Sequence, residues 1–256
     1  MLLTFVIRND KITFGFFEGD TLEHHASVGT SLSKTADEYA ILLENLLTFR
    51  QLDRKAFEGA IFASVVPALT ETLREAVRLL FGFRAHLIGS GIKTGLTILT
   101  ENPAELGGDL VASAVGALKK HTPPMILVEL GTAVTFSAID QSGAFLGCAI
   151  APGISLSASA LSASAELLPH ASPLAPKTAI GKNTQDSLRC GSVLGAASMI
   201  DGMLARMEEQ MGGTATVVCS GEEAAYILPY CRHHAERDET ITLVGLLEIY
   251  KKNKRK

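Results

Sequence analysis

Two segments of the chain each have the pattern of a strand, a tight turn and a second strand. Leu2–Ile7 is a largely apolar run, polar turn residues follow it, and residues 12–17 are largely apolar again. Met125–Leu130 and Val134–Ile139 repeat this arrangement. Short apolar runs separated by turn residues are typical of antiparallel hairpins. The sequence therefore predicts two halves that each open with a hairpin, which suggests an internal duplication.

Helical and strand patterns alternate after the first hairpin. Thr35 and Glu38 have the spacing of a capping box, and apolar residues recur behind them at helical spacing. Ala60–Val66 is a continuous apolar run of the kind found in buried parallel strands, and residues 69–80 have an amphipathic helical pattern. This alternation predicts an α/β protein.

Further helices are expected downstream. Residues 155–165 are almost all Ser, Ala or Leu, which favours a closely packed interface helix. A long helix is predicted over residues 184–211, with a glycine stop signal behind it. The prolines at 123 and 124 indicate the boundary between an N-terminal half, 1–122, and a C-terminal half, 123–256.

Composition and charge exclude several classes of protein. The formal net charge of −4 provides no broad positive field for nucleic acid. The opening run Leu2–Ile7 is too short for a membrane span, so we expect a cytoplasmic protein with no membrane partner.

Two pairs of histidines are adjacent in the sequence, at 24–25 and at 233–234, and we interpret them as surface histidines.

Three glycine-containing segments are candidates for a functional site. Asp109 follows Gly107 and Gly108 where a loop enters an apolar helix, so its carboxylate is either an N-cap or a general base. Residues 131–133, Gly-Thr-Ala, form either a plain tight turn or one whose amides approach a phosphate. Residues 181–184, Gly-Lys-Asn-Thr, suit either an anionic or polyhydroxyl ligand or an ordinary capped helix.

Taken in order, short motifs along most of the chain resemble the type III pantothenate kinase family of the actin-like, sugar-kinase and heat-shock ATPase superfamily. The matching segments are 35–39, 64–67, 93–96, 102–103, 107–109, 131–133, 149–153 and 181–184. The resemblance implies two duplicated, ribonuclease H-like domains with mixed central sheets flanked by helices. It also implies a homodimer whose active sites include residues from both subunits.

The activity that this resemblance implies is phosphorylation of the terminal hydroxyl of pantothenate by ATP, the first step of coenzyme A biosynthesis. Mg²⁺ and a monovalent cation, K⁺ or NH₄⁺, would be required. Asp109 matches the family's catalytic aspartate, Gly107 and Gly108 would lie against pantothenate, and Thr184 would reach the substrate from the partner subunit.

The resemblance also assigns nucleotide and cation roles. Gly131, Thr132 and Thr135 would line the second phosphate loop, and Asn9 would belong to the first. Glu129 stands at the family's cation-site aspartate and retains its charge on a side chain one methylene longer.

The first phosphate loop departs from the family pattern. The family's Asp-x-Gly-Asn-Thr corresponds to residues 6–10 here, so Val6 replaces the metal-binding aspartate and Arg8 replaces the glycine. Asp10 is a carboxylate that could substitute, but it lies four positions later. The arginine that follows the family's catalytic aspartate is Leu110 here, and a C-terminal Thr-Gly-Gly has become Ser-Gly-Glu at 220–222.

Two functions therefore remain open at this stage. One is a working pantothenate kinase with an altered phosphate site. The other is a catalytically degenerate homologue, a pseudoenzyme that binds a ligand, regulates, or serves as the partner subunit of a heteromeric kinase.

Overall fold

The computed structural model describes residues 1–169, 175–176 and 178–254, and these form two compact units. The first unit contains residues 1–96, 101–120 and the chain from Thr240 onward. The second contains residues 97–100 and the described part of 121–239. None of the helices in these described ranges combines the length and apolar character of a membrane span.

The strands and helices alternate as an α/β protein requires. The strands are β1 Leu2–Ile7, β2 Lys11–Glu18, β3 Thr21–Gly29, β4 Gly59–Ser64, β5 His86–Leu87, β6 Met125–Leu130, β7 Ala133–Ile139, β8 Phe145–Pro152, β9 Thr216–Ser220 and β10 Glu236–Arg237. The helices are α1 Ala36–Phe49, α2 Pro67–Phe81, α3 Gly108–Lys120, α4 Ile154–Ser164, α5 Thr184–Met211, α6 Ala224–Ile227 and α7 Ile241–Asn253.

The two sheets have the same topology. The first has the order β3-β2-β1-β4-β5 and the second, read the same way, β8-β7-β6-β9-β10. In each sheet the three hairpin strands are antiparallel and the two later strands add in parallel. This confirms the predicted fold class of duplicated domains with mixed sheets.

The core of the first unit forms around its central strands. All six residues of β1 are buried, as expected for a strand between two neighbours and beneath helices. The ring of Phe5 stacks on that of Phe62 in β4, with centroids 4.5 Å apart. The predicted capping box fastens α1, because the Glu38 amide donates to Thr35 Oγ1 over 3.3 Å and the Thr35 amide donates to Glu38 Oε2 over 2.7 Å.

The two compact units differ from the expected division of the chain between residues 122 and 123, most of all at the C-terminal end. The C-terminal helix α7 belongs to the first unit, where its backbone packs against that of α3. A Cβ on Gly116 would lie 1.8 Å from the carbonyl oxygen of Ile241, and one on Gly245 would lie 1.7 Å from that of Ala112. Only glycine permits this approach. A hydrogen bond of 2.8 Å between Ser113 and Thr242, which are 129 residues apart in the sequence, joins the same two helices.

The second unit has its own core, between β6, β7 and β9 on one side and α5 on the other. The helix α5 has the predicted bounds. Asn183 caps it by accepting the Asp186 amide over 2.8 Å, and Gly212 ends it in the left-handed conformation.

We expect Gly116→Ala to destabilise the protein by about 3 kcal/mol, because the new methyl group overlaps the backbone of α7. The matched control is Gly202→Ala, a helical position in α5 where a Cβ meets nothing within 4 Å. That change should stabilise the protein by about 0.5 to 1 kcal/mol through helix propensity. Urea unfolding followed by circular dichroism measures both, and equal midpoints would contradict the close-contact argument.

Candidate functional site

The turn between β1 and β2, the first turn, is a tight hairpin turn, and the residue that follows β3 bonds to it. The Arg8 amide donates to Lys11 O over 2.9 Å, and Thr30 Oγ1 donates to Arg8 O over 2.6 Å. Asn9 and Asp10 are exposed at its tip. Val6 is only 1% exposed, so an apolar side chain within the core stands where the resemblance leads us to expect a metal-binding aspartate.

Asp109 lies inside the first turn of α3, as the second residue of the helix. The N-cap interpretation of this residue is therefore wrong, since the helix begins at Gly108 and the Gly107 carbonyl accepts the Val111 amide over 3.1 Å. The Asp109 side chain is 9% exposed, and the positive end of the helix dipole favours a carboxylate there.

The two glycines before Asp109 lie close to neighbouring side chains. A Cβ on Gly107 would lie 2.6 Å from Asp109 Oδ1, and one on Gly108 would lie 3.0 Å from the Ile88 side chain. At either glycine a larger residue would displace this neighbouring side chain. The backbone of both glycines is where the resemblance leads us to expect contact with the substrate.

The turn between β6 and β7, residues 131–132, is the second turn of the candidate site, and backbone encloses it on two sides. Its own hydrogen bond runs from the Gly131 amide to Ala133 O over 3.1 Å. A Cβ on Gly153 would lie 2.1 Å from Gly131 O, and one on Gly221 would lie 2.1 Å from Leu130 O. The turn is therefore closely packed, while the Thr132 side chain at its tip is exposed.

The structure brings Glu129 and Thr135 to neighbouring positions beside this turn. They are direct partners across β6 and β7, and Glu129 also pairs with Ser220 of β9. Directly opposed residues present their side chains on the same face of a sheet. Glu129 is half-buried, and its oxygens are the kind of ligand that a hard monovalent cation takes.

Thr184 is the first residue of α5 and is exposed. The neighbouring Asn183 supports the capped-helix interpretation of this segment. A Cβ on Gly181 would lie 2.3 Å from the Ser187 amide, so the loop folds tightly back on the helix start.

The predicted site residues thus fall into separate local groups. Asn9, Gly107, Gly108 and Asp109 belong to the first unit, and Glu129, Gly131, Thr132, Thr135 and Thr184 belong to the second. No three or more His, Cys, Asp or Glu side chains gather as a metal site in the described ranges.

A buried carboxylate that the sequence did not indicate lies beside the second turn. Glu223 is 8% exposed and accepts hydrogen bonds from the Ile154 and Ser155 amides and from Ser155 Oγ, over 3.3, 3.1 and 2.5 Å. Burial, together with the Glu223 carboxylate, raises the pKa of Tyr226 to about 12. No sequence spacing links residues almost 70 positions apart, so no local pattern could have revealed this group.

A second group was also missed. His233 is not a free surface histidine, because its Nδ1 lies 3.1 Å from Asp201 Oδ1 and its Nε2 lies 3.3 Å from Glu208 Oε2. Asp201 also accepts the amides of Arg232 and His233. Burial acts to raise the pKa of the Asp201 carboxyl, but these amides and the His233 ring outweigh it and hold that pKa below its ordinary value.

Comparison with solved structures defines the class of the fold. The chain superposes on a putative Baf family transcriptional activator from Campylobacter jejuni with a TM-score of 0.62, 18% identity and 98% coverage of both chains. A putative 2-dehydro-3-deoxygalactonokinase from Sinorhizobium meliloti gives 0.60, 10% identity and coverage of 98% and 96%. The fold is that of the actin-like ATPases and sugar kinases.

Sequence comparison then gives the family. A sequence model of the type III pantothenate kinases matches residues 2–206. A type III pantothenate kinase from Moorella thermoacetica is 40% identical over 253 residues, 99% of this chain and all of the relative. One from Myxococcus xanthus is 38% identical and covers 99% of both chains. The chain belongs to the type III pantothenate kinase family.

Asp201 should make the stability of the protein depend on pH in the acid range. Its folded-state pKa is lowered, so its contribution is complete above the unfolded value of about 3.9 and is lost as the pH falls through the folded value. We expect Asp201→Asn to cost about 1 to 2 kcal/mol at neutral pH, where charged hydrogen bonds are lost. The difference from wild type should shrink towards pH 3.

Urea unfolding between pH 3 and 7 measures this difference. Glu209→Gln, an exposed change on the same helix, is the control and should leave the profile unaltered. A constant gap between wild type and Asp201→Asn at every pH would contradict the electrostatic explanation.

Proposed function

We propose that the protein phosphorylates the terminal hydroxyl of pantothenate with ATP and yields 4′-phosphopantothenate and ADP. The observation that carries the proposal is the buried Asp109 at the start of α3, behind two glycines, in a chain of the type III pantothenate kinase family. The reaction would be the first step of coenzyme A biosynthesis.

Asp109 is the proposed general base. The substrate oxygen would attack the γ-phosphorus, its proton would pass to an Asp109 carboxylate oxygen, and the bond to the ADP oxygen would break. Phosphoryl transfer depends chiefly on positioning and on neutralising phosphate charge. The backbone of Gly107 and Gly108 would position pantothenate beside the base, since neither glycine has a side chain in the way.

The second turn is the proposed phosphate-binding element. Gly131 has no side chain, the Thr132 residue is exposed at the tip of the turn, and Thr135 follows on the same hairpin. Glu129, opposite Thr135, would hold K⁺ or NH₄⁺. Mg²⁺ would arrive with ATP, and it would neutralise phosphate charge.

A second candidate function is supported by the first turn. Val6 is buried and provides no carboxylate, and Arg8 occupies the glycine position of the family's phosphate loop. These replacements favour a degenerate homologue that binds pantothenate without turnover, or that serves as the partner subunit of a heteromeric kinase. If calorimetry shows that the protein binds pantothenate, and no phosphopantothenate forms when ATP is added, this candidate would be supported.

The direct test is turnover of pantothenate with ATP, Mg²⁺ and K⁺, with phosphopantothenate detected by mass spectrometry. If Asp109 is the base, Asp109→Asn should lower kcat by at least about 100-fold. Asp37→Asn is the matched control, because Asp37 is also the second residue of its helix and is exposed. Product formation by wild type and Asp109→Asn at equal rates would refute the assignment of the base.

We further propose that the protein forms a homodimer through the face shared by α4 and α5. A cavity of about 350 Å³ lies between the two helices, lined mainly by small residues and by Leu161 and Leu188. Leu161 and Leu156 remain 46% and 49% exposed. Thr184 begins α5, so pairing at this face would direct it towards the partner's substrate.

Leu161→Glu should convert the dimer to a monomer, since a carboxylate would be buried in an apolar interface. Leu79→Glu is the control, because Leu79 is 45% exposed on α2 of the first unit. Light scattering behind a sizing column measures both. A Leu161→Glu protein that remains dimeric would exclude this face as the interface.

A further inference from the structure

The helix α4 does not cap its own N-terminus. Its N-cap residue is Gly153, which has no side chain to accept the first amides of the helix. A side chain cannot be added there, because a Cβ would lie 2.1 Å from Gly131 O and 2.6 Å from Thr132 O. The close packing of the second turn against α4 therefore requires glycine, and it leaves the helix end in need of an acceptor from elsewhere.

Glu223 provides that acceptor. Oε2 accepts the Ile154 amide, and Oε1 accepts both the amide and the hydroxyl of Ser155. All of these bonds join Glu223, just before α6, to the start of α4, across almost 70 residues of sequence. A buried carboxylate with several amide donors at a helix N-terminus is a strong contact.

The same carboxylate also connects the two walls of the second turn. One wall is Gly153, whose amide donates to Thr132 O over 3.0 Å. The other is Gly221, which has a φ of +103° and lies against the Leu130 backbone. Glu223 is two residues from Gly221, so its bonds to α4 hold the two walls together around the turn.

We propose that Glu223 is a positioning residue, which holds the Gly131–Thr132 turn in the conformation that receives the nucleotide phosphates. This inference rests on the proposed function of that turn. The carboxylate acts through the protein, because its hydrogen bonds are made to α4.

The test is the affinity for Mg²⁺–ADP, measured by calorimetry, together with the KM values for ATP and pantothenate. Glu223→Ala should raise the Kd for ADP and the KM for ATP by at least about tenfold, because small misplacements of a binding group are costly. The KM for pantothenate should not change. Glu223→Gln keeps an oxygen for Ser155 but turns an NH₂ group towards the Ile154 amide, so its effect should be intermediate.

Glu208→Ala is the control for general destabilisation. Glu208 also accepts a backbone amide in the second unit, that of Ala215, but its contacts lie outside the α4 and α6 group. Thermal unfolding of both alanine variants allows comparison at similar stability. An equal loss of ADP affinity in Glu208→Ala would reduce Glu223 to a structural role and overturn the proposal.

The remaining outcomes separate this inference from the proposed function. If wild type does not bind ADP, the proposed phosphate turn itself fails. If wild type binds ADP and Glu223→Ala binds it equally well, only the role of Glu223 is refuted. Tighter binding by Glu223→Ala would show that the carboxylate repels the phosphates, and would also overturn the positioning role.

Discussion

Close backbone contact at glycine is the constraint on which this structure most depends. At Gly116 and Gly245 two helices approach until a methyl group would overlap a carbonyl oxygen, and at Gly153 and Gly221 the same applies around the second turn. Such contacts contribute no side-chain burial of their own. They bring the neighbouring apolar surfaces together, and each one makes its position intolerant of any other residue.

Much of the fold could be predicted from local pattern. The hairpin strands β1, β2, β6 and β7, the capping box of α1 and both ends of α5 follow from apolar periodicity, turn residues and caps, all of which act over a few residues. The edge strand β3 was not predicted. Exposed and half-buried residues alternate along it, and the glutamate and the two histidines in its middle make the segment resemble a polar loop. The place of α7 was missed for a different reason, since its partner lies in α3, far away in the sequence.

The candidate site shows the same division. Asp109 and the glycines around it were found because the residues are adjacent in sequence, although the structure places Asp109 within the helix and not at its cap. Glu223 and the group of Asp201, His233 and Glu208 were not found, because their partners are brought together only by tertiary packing. Buried charged groups paired through long-range contacts leave no periodic signal in a single sequence.

The replacements in the first turn bear on how a homodimer of this chain could carry out the proposed reaction. In a homodimer each subunit would carry the same Val6 and Arg8, so a partner copy could not supply a carboxylate at position 6. Turnover by a homodimer would therefore require that Asp109, the second turn and Mg²⁺ arriving with ATP suffice for transfer. A heteromer would escape this restriction, because the partner could bring an intact first turn of its own while this chain supplies Thr184 at the start of α5.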